Sequence, residues 1–229
     1  MPAAPDVTAH PSPNCSPRRG GLRPRLIVLH YTAMTSAQAA LERLCDPSAE
    51  VSAHYLISGR GEVIQMVEEE QRAWHAGAGE WAGLEDINSR SIGIELDNRG
   101  DHPFSEPQMQ ALETLLPGIM ARHSIPPEGV IGHSCMAPGR KIDPGPRFDW
   151  ARLARRGLAL PAGDGPLPDR VTTETFRAAA QAAGFTAPCD DDTLLDTVRL
   201  RFRPWGRGPL TPADLAALPA PIDAPRAGV

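Results

Sequence analysis

Over the first two thirds of the chain, short apolar runs alternate with polar, glycine-rich or proline-rich stretches. LIVL (26–29), ending at His30, has the length and branched character of a buried strand. SAQAALERL (36–44) changes to a helical spacing, with Ser36 placed to cap it. VSAHYLI (51–57) and EVIQMV (62–67) flank Ser58-Gly59-Arg60-Gly61, the pattern of a hairpin. A stretch rich in Trp, His and Gly (74–83) reads as a loop, and SIGIEL (91–96) returns to strand-like alternation. Ser105, Glu106 and Pro107 open a helix that keeps Met109, Leu112, Leu115, Leu116, Ile119 and Met120 on one face, with a kink expected at Pro117. VIGH (130–133) is a last short strand. It is followed by the loop SCMAPGRKIDPGPRF (134–148) and a helix capped by Asp149.

Strands interleaved with helices, and at least one hairpin, predict an α/β fold with a mixed central sheet flanked by helices. Residues 1–25 are proline-rich and polar and are expected to form an extended arm. The core is expected over 26–160. A shift to Pro, Gly and Asp marks 161–172 as a linker. Beyond it, 173–229 carries three short helical stretches (174–183, 191–202 and 213–218), read as a small helical region whose last ten residues fray. These helices could be a separate module or a cap packed on the core.

Composition narrows the class. With 41% apolar and 22% charged residues in 229, the chain can bury a core, and 25 prolines with 21 glycines argue for many turns rather than a helical bundle. A net charge of -5 argues against a nucleic-acid partner. No apolar run approaches the roughly 18 residues of a membrane span, and prolines stand where a secretory leader would have its apolar stretch. A soluble, cytoplasmic protein is the expectation. Four cysteines without a C-x-x-C pair read as reduced thiols. Of 23 basic residues 22 are arginine, and Lys141 is the exception.

The candidate chemistry sits at strand ends. His30 closes LIVL and His133 closes VIG, and ten residues further on Asp143 lies in a loop stiffened by Pro138, Pro144 and Pro146. Two histidines, a carboxylate and an open position make the composition of a catalytic zinc site. The residues alone also allow three unrelated side chains, since a spacing of 103 residues follows no zinc-finger rule. Glu95 is flanked by apolar residues on a predicted strand. Burial there would raise its pKa into a range useful for proton transfer, whereas an outward-facing position opposite Ile94 would leave it an ordinary surface acid. A single lysine two residues before Asp143 suggests a need for a compact ammonium rather than a planar guanidinium.

HYTA (30–33), SAHYLI (52–57), AWHAG (73–77), NSRSIGIEL (88–96) and GHSCMAPGRKIDPGP (132–146) resemble, in order, the motifs of the type 2, zinc-dependent N-acetylmuramoyl-L-alanine amidases. Phage amidases and animal peptidoglycan recognition proteins share that fold. The resemblance implies one zinc ion held by His30, His133 and Asp143, with Glu95 as catalytic acid and base and Lys141 beside the metal. It places His75 in the groove wall as a substrate contact and leaves His54 a structural strand residue. The implied reaction is hydrolysis of the amide joining N-acetylmuramic acid to L-alanine in peptidoglycan or muropeptides. Alternatives are a peptidoglycan-binding module that does not cut, or another zinc hydrolase of the wall such as an endopeptidase. The chain departs from the family at Cys135, where aspartate is usual. That thiol could alter hydrogen bonding around the metal or offer it a thiolate. LRFRP (200–204) is weakly similar to the small peptidoglycan-binding module of some of these amidases.

Overall fold

The computed structural model describes residues 6–222, so the first five residues of the arm and most of the tail expected to fray, 223–229, lie outside the described residues. Eight strands are found there: β1 (Val7–Ala9), β2 (Cys15–Pro17), β3 (Leu26–Tyr31), β4 (Tyr55–Ile57), β5 (Val63–Gln65), β6 (Gln71–Ala73), β7 (Ser91–Leu96) and β8 (Val130–Gly132). The helices are α1 (Ala37–Cys45), α2 (Ile87–Arg90), α3 (Glu106–His123), α4 (His133–Met136), α5 (Trp150–Arg155), α6 (Thr173–Ala182), α7 (Asp191–Phe202) and α8 (Pro212–Ala216). Six strands form one sheet in the order β1-β5-β4-β7-β3-β8, while β2 and β6 form a separate antiparallel ribbon. β4 and β5 are the antiparallel hairpin, and the pairs β4–β7, β7–β3 and β3–β8 are parallel.

LIVL is apolar at every position because both faces of the sheet are covered. Ile27 and Leu29 point to one face, where Ile92, Ile94 and Leu96 of β7 meet Leu112, Leu116 and Ile119 of α3 and Trp150 and Leu153 of α5. Leu26 and Val28 point to the other, against Trp81, Ile131 and Met136. The predicted caps hold: Ser36, Ser105 and Asp149 each accept a backbone N–H at the start of α1, α3 and α5. α3 runs unbroken through Pro117, which faces solvent while its neighbours Leu116 and Ile119 pack on the sheet.

Two segments are more closely tied to the core than their composition suggests. The arm, from residue 6, contributes a strand to each sheet. Its Arg18 guanidinium reaches inward to donate to the carbonyls of Glu69, Ser89 and Ser91, and so ties the arm to β7. The C-terminal helices complete the apolar cluster on the second face of the sheet, where Phe176, Phe185, Leu194 and Val198 pack with Leu26, Val28 and Met136. The stretch 161–172 has no helix or strand, but Gly163 N–H donates to Ala217 O. Within LRFRP, the Arg201 guanidinium stacks on Trp150, 3.9 Å from its ring centre, and donates to Leu160 O, while Phe202 is buried. These residues are occupied in joining α7 to α5.

Candidate metal and catalytic centre

Parallel pairing brings the two histidines together. His30 lies near the end of β3, and Leu29 is in register with Gly132 on β8, so His133, the first residue of α4, emerges beside it. Gly132 has no side chain for a steric reason: a Cβ there would lie 2.7 Å from Pro144 Cδ. The 143–144 segment can therefore lie against β8, held by Ser134 N–H donating to Asp143 O at 2.9 Å. All three side chains are buried and converge. His30 Nδ1 is 3.0 Å from His133 Nδ1 and 2.9 Å from Asp143 Oδ2, and His133 Nδ1 is 3.0 Å from the same oxygen. Among the described residues, this is the one group of three or more His, Cys, Asp or Glu side chains whose ligand atoms approach closely enough to share an ion.

The donor set fits a divalent metal. His133 Nε2 lies 2.9 Å from Ala76 O, an acceptor only, so Nε2 carries the proton and Nδ1 presents a lone pair. Burial, with His133 alongside, pushes His30 down to about 4, which keeps its ring neutral at pH 7. The His133 Nδ1 lone pair and the Asp143 oxygen point at one another beside His30 Nδ1, an arrangement that a shared cation would stabilise. Their near-equilateral triangle is close to one face of a tetrahedron whose edges, at ordinary metal–nitrogen and metal–oxygen lengths, measure about 3.3 Å. Cys135 is not in this group; its thiol is buried in the apolar cluster of the second face, and burial pushes its pKa up.

Glu95 is the register partner of His30 on the neighbouring strand. Its Oε2 is the one buried side-chain nitrogen or oxygen among the described residues with no hydrogen-bond partner. Burial, reinforced by the negative charge of Asp143 and opposed by Lys141, raises its carboxyl to about 8. Glu95 and Lys141 both line a cavity of about 570 Å3 that also takes in the triad, Trp74, Arg43 and Arg140. Arg140 braces one wall by donating to Ala76 O at 2.7 Å and to Ala78 O. His75 lines the same cavity, but both its ring nitrogens are turned to protein partners, Nδ1 to His30 Nε2 at 3.0 Å and Nε2 to Ser91 Oγ at 3.2 Å. His54 is fully buried, accepting Gly93 N–H on Nδ1, with its ring edge-on to His75.

Against known proteins, residues 20–146 match the model of the family described as N-acetylmuramoyl-L-alanine amidase. The chain belongs to this family. The amidase AmiD of Escherichia coli is 37% identical over 212 residues, a match that covers 86% of this chain and 64% of AmiD's own length. The 1,6-anhydro-N-acetylmuramyl-L-alanine amidase AmpD of Citrobacter freundii is 35% identical over 169 residues, covering 66% of this chain and 89% of AmpD. Among solved structures, AmiD of E. coli in complex with the substrate anhydro-N-acetylmuramic acid-L-Ala-D-gamma-Glu-L-Lys superposes with a TM-score of 0.78 at 31% identity over 88% of this chain and 89% of that one. AmpDh3 of Pseudomonas aeruginosa with anhydromuramic pentapeptide gives 0.76 at 31% identity, over 89% and 92%.

The structure adds site residues that sequence reading does not single out. Ala76 contributes only its carbonyl, which no side-chain pattern reveals. Arg43 comes from the exposed face of α1, where an arginine looks like any solvated charge. Ser91 and Gly93 lie inside NSRSIGIEL, but their part emerges only when β7 is set against the 73–77 segment. A Cβ on Gly93 would sit 2.5 Å from the His75 ring.

Proposed function

We propose that the chain is a zinc enzyme that hydrolyses the amide between N-acetylmuramic acid and L-alanine in peptidoglycan or its muropeptide fragments during wall turnover or recycling. The observation that carries this reading is that one cavity is lined both by Glu95, with its unpartnered oxygen, and by the His30, His133 and Asp143 cluster, in a chain of the amidase family. AmiD and AmpDh3 bind anhydromuramyl peptides, which supports the same substrate class here. His30, His133 and Asp143 would hold the zinc. Zinc bound there supplies Lewis acidity, easing deprotonation of the attacking water and polarising the scissile carbonyl.

The chain's own groups carry the protons. Burial strengthens the hold of the Glu95 carboxylate on a proton, so in its ionised form it can take one from the attacking water and, once protonated, return it to the departing alanine nitrogen, serving as base and then acid. The Lys141 ammonium lines the same cavity, where a preorganised charge beside the oxygen on which negative charge develops would contribute a few kcal/mol. The products are the muramyl sugar and a peptide with a free alanine amino terminus. Mass spectrometry of the products from one defined anhydromuramyl peptide tests the assignment. Cleavage within the peptide would make the protein an endopeptidase, and tight binding without cleavage by zinc-loaded protein would make it a recognition module.

A further inference from the structure

The hydrogen-bond partners of His75 form a chain in which every proton has one place to be. Ser91 Oγ lies 2.6 Å from Ile87 O, a carbonyl that can only accept, so the serine hydroxyl spends its single proton there. At 3.2 Å from His75 Nε2, the same oxygen can then only accept, so Nε2 of His75 carries a proton. In the neutral ring Nδ1 is therefore a lone pair, and its partner at 3.0 Å is His30 Nε2, which must donate. A neutral His30 protonated on Nε2 has its lone pair on Nδ1, the atom that faces His133 and Asp143.

We infer that Ser91 and His75 are positioning residues: a two-link relay, anchored on the Ile87 carbonyl, that holds His30 in the one tautomer able to ligate a metal through Nδ1. The inference rests on the metal-site reading above. It deepens that reading by separating the two histidine ligands. His133 takes its orientation directly from a backbone carbonyl, a fixed acceptor. His30 takes its orientation from a side chain that could itself flip tautomer, so a second residue, Ser91, is needed to fix that side chain. The packing agrees. Ser91 is fully buried, the His75 backbone N–H donates to Asn88 Oδ1, and the absence of a side chain on Gly93 admits the imidazole ring.

Ser91→Ala removes the acceptor without changing the backbone and leaves His75 Nε2–H without a partner. His75→Phe keeps a ring of similar shape against Gly93 and removes both nitrogens. Three measurements suffice: zinc affinity of the apo-protein by chelator competition, the tautomer of His30 by 15N NMR of the zinc-free protein, and apo-protein melting temperature. The expected result is that zinc binding weakens about 10- to 100-fold in His75→Phe and less in Ser91→Ala, the scale set by outer hydrogen-bond partners of metal ligands. Ser91→Ala should add nothing in the His75→Phe background, because the relay is already broken. The parent spectrum should show His30 protonated on Nε2, with a mixed tautomer in Ser91→Ala. Additive losses, unchanged zinc affinity in both single variants, or a parent His30 protonated on Nδ1 would each overturn the relay. If the parent binds no zinc, the metal reading fails, while the tautomer measurement still decides the relay. If His75→Phe does not fold, Ser91→Ala decides it by its affinity and spectrum.

Discussion

Two glutamates, Glu69 in the turn before β6 and the half-buried Glu95 on β7, have opposite surroundings. Glu69 lies in a run of three glutamates and is 6% exposed. Its Oε1 accepts from Tyr55 Oη at 2.7 Å and Arg122 Nη2 at 2.6 Å, and its Oε2 accepts from Arg122 Nε at 3.0 Å and His123 Nε2 at 2.6 Å. Burial opposes its ionisation, but hydrogen bonds from Arg122, Tyr55 and His123 more than offset that and hold it at about 2. Glu95 is also taken out of water, but with one oxygen unpartnered it rises to about 8. Burial alone therefore does not decide what a carboxylate does; its donors do. A satisfied carboxylate joins α3 to the sheet, and an unsatisfied one can exchange protons.

Replacing each residue should separate the two roles. Glu95→Gln is expected to lower turnover at least about a hundredfold, by removing the proton carrier, while the melting temperature holds or rises because an uncompensated buried acid is lost. Lys141→Arg should cost a similar factor with zinc content unchanged, since a guanidinium cannot take the place of a compact ammonium. Glu69→Ala should do the reverse. It strands Tyr55, Arg122 and His123, destabilising by roughly 3 kcal/mol, while the molecules that remain folded keep their activity. Steady-state kinetics beside thermal melts checks all three; a Glu69→Ala enzyme that melts like the parent, or a Glu95→Gln enzyme that turns over normally, would collapse the distinction.

The contrast also marks what the sequence discloses. Element types follow from pattern, because LIVL, SIGIEL and the face of α3 have one reading each when both sides of a sheet must be covered. The convergence of His30 and His133 follows once their strands are taken as parallel neighbours. Glu69 is illegible, since three successive glutamates look solvated and only the approach of β4 and α3 places donors on the middle one. The short strands of the arm are obscured by prolines, as Pro17 closes β2 itself. The stretch 161–172 has the composition of a linker, but composition carries no information about where Phe176 and Phe185 pack. Contacts made across long separations in the chain are those that local pattern cannot express.

Stability against pH should carry both signs. For Glu69, whose folded-state pKa is depressed, the contribution is present above the ordinary carboxylate range and is lost as pH falls from about 4.5 toward 2, a change of roughly 3 kcal/mol. For Glu95, whose folded-state pKa is raised, nothing is lost below about 4.5, where both states are protonated. As pH climbs to about 8 the unfolded chain ionises first, so stability falls over that interval and then levels. Urea unfolding of zinc-free protein from pH 3 to 9 reads both limbs. Glu95→Gln should flatten the upper one relative to the parent and Glu69→Ala the lower; the same pH profile for both variants would break the comparison.

The smallest expected effect is the sharpest check on how the Glu69 cluster shares its load. Tyr55 contributes one hydroxyl to Oε1, which keeps its bond from Arg122 Nη2 when that hydroxyl is removed. Tyr55→Phe leaves the ring, 4% exposed in the core cluster with Ile57 and Ile94, in place and creates no stranded donor, because the donor itself is what is deleted. The cost should be that of one hydrogen bond to a charged acceptor, about 1.5 kcal/mol. For a chain of this length that lowers the melting temperature by about 3 to 6 °C, with kcat and KM unchanged. A loss as large as that of Glu69→Ala would mean that the tyrosine, and not the arginine, carries the cluster. No loss at all would mean that Arg122 and His123 satisfy the carboxylate by themselves.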